Sequence, residues 1–183
     1  MNELLAEIEA RRARRALDGR PVAEELLLRI LTAATLAPSC NNNQPWRFLA
    51  VRRTEELQKV RELLSGGNYW AKKAPLIIAV LTQPELDCRF DDRRDYALFG
   101  AGLAVGNLLA QATREGLIAH PIAGFKPVPI KEALGVPPEL ILITLVIVGY
   151  PGEESVLSEK HRVQEHAPRE RKPLTEVLRY ERW

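Results

Sequence analysis

Apolar positions change their period several times along the chain, and each period predicts an element. Over residues 2–16, Leu4, Leu5 and Ile8 stand at helical spacing among good helix formers, and the pattern stops at Asp18-Gly19, predicting a helix and then a turn. Over residues 22–36, Leu26, Leu27, Ile30, Leu31 and Ala34 recur at steps of three and four, which predicts a second, amphipathic helix ended by Pro38. The polar stretch 39–45 reads as a loop. Bulky residues at 46–51 predict a strand, helical spacing returns over 55–64 until Gly66-Gly67 breaks it, and the β-branched run 75–81 predicts a buried strand.

Residues 92–115 form the longest helical pattern, polar at first and then apolar and rich in Gly and Ala, with Gly116 at the C-terminal cap. A helix of that composition must be central and closely packed. Residues 117–125 hold a short strand whose Pro121 and Gly124 suit a sheet edge, a brief helix follows around 130–134, and LILITLVIVGY over 140–150 predicts the central strand. The tail beyond Pro151 is charged and interrupted by proline, with a last helical piece at 174–180. The mixture predicts an α+β fold with about four strands and five or six helices.

A chain of 183 residues with 46% hydrophobic and 27% charged positions can form one domain, 1–183, around a real core. Its 26 Lys and Arg against 24 Asp and Glu leave a formal charge of +2, too little for the field of a general nucleic-acid binder, so any anion site must be local. Cys40 and Cys88 are too few for a disulfide framework, and with three histidines they show no paired spacing for a metal. A reducing cytoplasm is expected. The N-terminus has acids before its arginines and no apolar h-region, stretch 140–148 is too short to span a bilayer, and 96–112 is broken by Gly100, Gly102, Gly106 and Asn107. No membrane partner is expected.

Three segments carry candidate chemistry. In RRARR, Arg11 and Arg15 would share a helix face one turn apart and could close on one phosphate, although the acids around them also allow a solvated, ion-paired face. The loop from Pro38 to Trp46 packs Ser39, Asn41, Asn42, Asn43 and Gln44 together, more amides than a turn requires and suited to the edge of a heteroaromatic ring. In HPIAGF, Gly124 after a strand could let the backbone approach a ligand, or simply bend. GAGLAVG has the spacing G-x-G-x-x-x-G and no strand before it, so it reads as small-residue helix packing, a possible seam between two chains. No catalytic triad is visible, and Cys40 reads as a small loop residue.

Read in order, these pieces resemble the nitroreductase family of FMN-dependent oxidoreductases. RRARR resembles its R-R-S-x-R, APSCNNNQPWRF resembles A-P-S-x-x-N-x-Q-P-W-x-F, PIAGF resembles P-I-E-G-F, and RERKPL resembles a K/R-x-R segment before the C-terminus. The match runs from about Glu7 to Leu174. The resemblance implies a central, mostly antiparallel sheet of about four to five strands flanked by helices, and an intertwined homodimer with two FMN molecules at its interface. The tail 151–183 would contribute to both. Arg11, Arg12 and Arg15, around Ala13, would hold the FMN phosphate and ribityl chain together with Arg169 and Arg171. Pro38, Ser39, Cys40, Asn42 and Gln44 would reach the flavin from the other subunit; Ile122, Ala123 and Gly124 would lie against the isoalloxazine, and Lys73 is a further candidate. Ala13 stands where the family usually has Ser, which removes one hydrogen bond, and Cys40 and Ala123 replace the common Ser or Gly and Glu.

The implied activity is ping-pong transfer of hydride from NAD(P)H through FMN to a nitroaromatic, a quinone or a similar small acceptor, with no side-chain acid or base required. Three other readings remain open. One is a specialised branch of the family, a reductive dehalogenase or dedicated dehydrogenase. Another is a flavin-binding protein with little turnover, and the last is a phosphate- or nucleic-acid-binding module built on RRARR.

Overall fold

Five strands make one antiparallel sheet: β1 (Leu17–Asp18), β2 (Arg47–Val51), β3 (Leu76–Thr82), β4 (Ile118–Ile122) and β5 (Ile141–Pro151). Seven helices accompany them in the computed structural model, which describes residues 4–92 and 94–183: α1 (Ala6–Ala10), α2 (Glu24–Thr35), α3 (Thr54–Glu62), α4 (Tyr96–Arg114), α5 (Pro127–Ala133), α6 (Glu159–His166) and α7 (Leu174–Val177). The two continuous apolar runs of the sequence, β3 and β5, lie side by side, with Ile77 opposite Ile147 and Ala79 opposite Leu145. β2 extends the sheet beyond β3, while β4 and the short β1 share the other edge of β5. Pro121 sits in β4, where a missing N–H leaves no central ladder broken.

Both faces of the sheet are covered, which is why β3 and β5 read as unbroken apolar runs and not as alternating ones. Ile77, Ala79, Leu81, Leu145 and Ile147 face a core shared with Leu57 and Val60 of α3, Ile130 of α5 and Trp70. The intervening Leu76, Ile78, Val80, Val146 and Val148 face Leu27, Ile30 and Ala34 of α2 and Ala104, Leu108 and Ala112 of α4. The small residues of α4 are thus split between two surfaces. A Cβ on Gly100 would meet Pro45 at 3.1 Å, whereas one on Gly102 or Gly106 would meet nothing within 4 Å. No described helix is long and apolar enough to cross a membrane.

Four expectations need correction. The helix expected over 2–16 is limited to α1, and its first two residues lie outside the described ones. The helix expected from residue 92 begins at Tyr96, with Arg93 outside the described residues. The tail holds α6, whose mean apolarity is too low to have shown in the pattern; Ser158 caps it by accepting the His161 N–H at 3.4 Å. Cys40 and Cys88, expected to stay unpaired, are joined in a disulfide, because the amide loop folds back on the stretch after β3 and brings their Cα atoms to 6.0 Å.

Candidate functional site

Arg11 leaves α1 with φ −58° and ψ 129°, and the chain stays irregular until it enters β1. Arg11 and Arg15 therefore do not share a helix face. A helix continuing through Arg15 would spend the Arg15 N–H on the Arg11 carbonyl. Here Glu165 of α6 takes that N–H instead, Oε1 accepting at 2.8 Å. Next along the chain, the Gly152 N–H donates to Ala16 O at 2.9 Å and Leu17 pairs with Pro151.

The extended path still gathers the arginines. A cleft of about 260 Å³ is lined by Arg11, Arg12, Ala13, Arg14 and Arg15, by Glu165, and by Arg169 and Arg171 of the tail. Arg169 covers the carbonyl end of α1, donating from Nη1 to Ile8 O at 3.1 Å and from Nη2 to Glu9 O at 2.8 Å and to Arg11 O. Desolvation, and then the charges of Arg12, Arg11 and Arg171, hold its pKa below the usual arginine value. Its Nε is buried without a partner among the described residues. Arg171 bonds only its neighbour's carbonyl, Glu170 O, at 2.6 Å among the described residues. The result is a strongly cationic hollow on a nearly neutral chain, with the chemistry of an oxyanion or phosphate site.

Behind this wall sits a layer of polar groups that the sequence did not mark. Glu165 is 5% exposed; its Oε1 also lies 3.9 Å from Arg15 Nη1, and its Oε2 has no partner among the described residues. His120 of β4 stacks on Trp70, ring centroids 4.7 Å apart, and its Nδ1 donates to Arg14 O at 3.0 Å. Desolvation, helped by the charges of Arg15 and Arg11, lowers the His120 pKa to about 4, so the ring is neutral and supports the arginine segment without adding charge. Arg15 in turn faces Trp70, 6.0 Å from the ring centroid.

The amide loop lies elsewhere on the chain, and none of its residues lines the arginine cleft. Asn41, Asn42 and Gln44 hold φ values of 50°, 58° and 51°, the left-handed region that Asn tolerates better than most residues. Ser39 Oγ accepts the Gln44 N–H at 2.9 Å, Asn43 Nδ2 donates to Asp87 Oδ1 at 3.2 Å, and Pro45 O accepts the buried Thr82 hydroxyl at 2.9 Å. Pro38 and the amides of Asn42 and Gln44 face outward, and Cys40 is tied to Cys88. On the far side of the sheet, Ile122 is buried and Ala123 exposed, while Gly124 packs so tightly that a Cβ there would lie 2.6 Å from Asn68 Nδ2. Lys73 is exposed beside Gly19, away from the arginine cleft.

Within one chain, then, RRARR and the tail arginines converge, whereas the amide loop and Ile122 to Gly124 form separate surfaces. Glu165, His120 and the Cys40–Cys88 pair were missed as functional elements. Only the cysteines carried a signal in the sequence, and two cysteines without a pattern do not announce a pair.

Comparison with known proteins bears on this arrangement. A model of the nitroreductase family matches residues 8–68 and 62–150. A protein of Archaeoglobus fulgidus, whose description pairs NADH dehydrogenase with NAD(P)H nitroreductase, is 32% identical over 84% of this chain and 88% of its own length. The FMN reductase [NAD(P)H] of Bacillus subtilis is 27% identical over 91% of this chain and 72% of its own. A crystal structure described as an oxidoreductase containing FMN superimposes with a TM-score of 0.88 at 31% identity, covering 99% of this chain and 93% of that one.

Proposed function

Since this chain belongs to the nitroreductase family, we propose that it is a cytoplasmic FMN-dependent oxidoreductase that takes electrons from NAD(P)H and delivers them to a small acceptor such as a nitroaromatic or a quinone. The arginine cleft carries the reading. It concentrates the guanidinium groups of Arg11, Arg12, Arg15 and Arg171 in one hollow, a donor set that fits a phosphate dianion. Arg169, committed to carbonyls of α1, fixes the edge of that hollow and holds Arg11 and Arg12 in place. The carbonyls and amides of the 38–44 loop suit a flavin's polar ring edge, and the open backbone at Ala123 and Gly124 suits its face. When bound, FMN supplies the two-electron, hydride-accepting centre. The chain's own part is to bind and orient the cofactor, and to keep a cationic environment against the ring. Donor and acceptor would use one exposed face in turn, a ping-pong scheme.

The separation of the amide loop from the arginine cleft supports a homodimer in which the loop of one subunit completes the site of the other. Suitable surfaces exist. α4 exposes Leu98 and Phe99 beside the open Gly102 and Gly106, and an apolar hollow of about 550 Å³ lies between α1 and α4, lined by Leu5, Ile8, Leu36 and Ala110 among others. The tail leaves Leu174, Val177, Tyr180 and Trp183 exposed, and we assign residues 151–183 to the same interface.

The test is the visible absorption spectrum of the purified protein with and without added FMN, followed by anaerobic NADH or NADPH. Flavin bands that bleach are expected. Bands that persist would replace the enzyme with a flavin-binding protein of little turnover, and failure to bind FMN would refute the reading of the arginine cleft.

A further inference from the structure

Cys40 opens the turn of the amide loop, and Cys88, 48 residues later, lies in the stretch between β3 and α4; the structure joins them in a disulfide. This bond does not brace the core. Both cysteines are half-buried, and neither belongs to the apolar clusters on the two faces of the sheet. Polar groups surround the sulfurs instead. Asn41 Nδ2 lies 3.6 Å from Cys88 Sγ, and Asn43 Nδ2 lies 3.8 Å from it, both as donors. Asp87 beside them is buried: Oδ1 accepts the Cys88 N–H at 2.9 Å and Asn43 Nδ2 at 3.2 Å, while Oδ2 has no partner among the described residues.

Two consequences follow from this setting. Amide N–H dipoles aimed at one sulfur of a disulfide stabilise the thiolate it becomes, so Cys88 is the leaving group and Cys40 the sulfur attacked. The loop that Cys40 anchors also holds three non-glycine residues, Asn41, Asn42 and Gln44, at positive φ. Such residues persist only where surrounding restraints hold them, and the disulfide is the covalent one.

We propose that Cys40 and Cys88 form a reversible thiol–disulfide exchange site for a dithiol reductant, and that their redox state sets the order of residues 39–44. Through that loop, and resting on the flavin reading above, the pair also sets FMN affinity. In the forward step a thiolate of the dithiol attacks Cys40 Sγ. The protein S–S bond breaks, its electron pair leaves on Cys88 Sγ, and that sulfur takes a proton from water. The second thiol of the reductant, having lost its proton to water, attacks its own sulfur in the mixed disulfide and releases Cys40, which is protonated. The reductant ends as a disulfide, and the protein gains two electrons and two thiols.

The experiment equilibrates the full chain, without FMN, in graded ratios of reduced and oxidised dithiothreitol. Free thiols are counted by the mass shift on alkylation, and amide hydrogen exchange is followed in peptides covering 39–44. Two thiols are expected to appear in the folded protein, and exchange in 39–44 is expected to quicken at least tenfold with the same midpoint, while β3 and β5 stay protected. The double variant C40S/C88S should show the fast exchange at every ratio. FMN fluorescence titration should then give a dissociation constant at least threefold higher for the reduced protein. Thiols that appear only after denaturation, or that appear without a change in loop exchange, overturn the proposal. Equal FMN affinity in both states overturns the link to the cofactor. FMN bound in neither state refutes the flavin reading, and the thiol count and loop exchange still decide the exchange site.

Discussion

Acid should weaken this fold through His120, by an amount the site itself sets. The ring is buried against Trp70 with its Nδ1–H spent on Arg14 O, and desolvation beside Arg15 and Arg11 lowers its pKa from 6.5 to about 4. The unfolded chain accepts a proton that the folded chain refuses between those two values. The stability contributed by the neutral ring is therefore complete above about pH 6.5, declines as pH falls, and is gone below about pH 4. At 1.36 kcal/mol per pH unit, the loss is about 3 kcal/mol. His120→Gln keeps a donor of similar reach and cannot titrate. Urea unfolding of both proteins, followed by tryptophan fluorescence, should show wild type losing about 3 kcal/mol more than the variant between pH 7.5 and pH 4. Other titrating groups are common to both proteins and cancel in the difference. A difference that stays flat across that range, or a His120 ring that titrates near 6.5 by NMR, would refute the argument.

Other outcomes follow from single contacts. Arg15→Ala should weaken FMN binding at least tenfold, about 1.5 to 3 kcal/mol for a lost charge-assisted contact, and unchanged affinity in a fluorescence titration would remove Arg15 from the site. Glu165→Ala should cost about 1.5 to 3 kcal/mol in denaturant unfolding, because the Arg15 N–H loses its carboxylate; Glu165→Gln, which still offers an acceptor oxygen, should cost less. Gly152→Ala should destabilise by about 1 to 3 kcal/mol. Its Cβ would fall 2.4 Å from Asp18 N and Leu17 C, backbone atoms that cannot turn aside, so a variant as stable as wild type would contradict the β1 contact. Light scattering should give a mass near twice 20.6 kDa, and a flavin-bound monomer would refute the shared site.

Much of the architecture could be read from the chain alone, for reasons that are local. The apolar runs that became β3 and β5, the three-and-four spacing of α2 and the small-residue face of α4 express the repeat of a strand or a helix, which acts over a few residues. The order of RRARR, the amide loop, PIAGF and RERKPL pointed to the family before any fold was known. Distant partners decided the rest. α1 stops where it does because Glu165, 150 residues further on, takes the Arg15 N–H and because β5 pairs with Leu17. The arginines consequently meet across an extended segment and a tail, without the helix face their spacing suggested. His120 is an ordinary histidine in the sequence and becomes a neutral support only when Trp70 covers it, while Cys40 finds Cys88 only because the loop folds back across 48 residues. Periodicity records which face of an element is buried; which charges, thiols and rings come within bonding distance depends on the packing of those elements against one another, and that belongs to the tertiary structure.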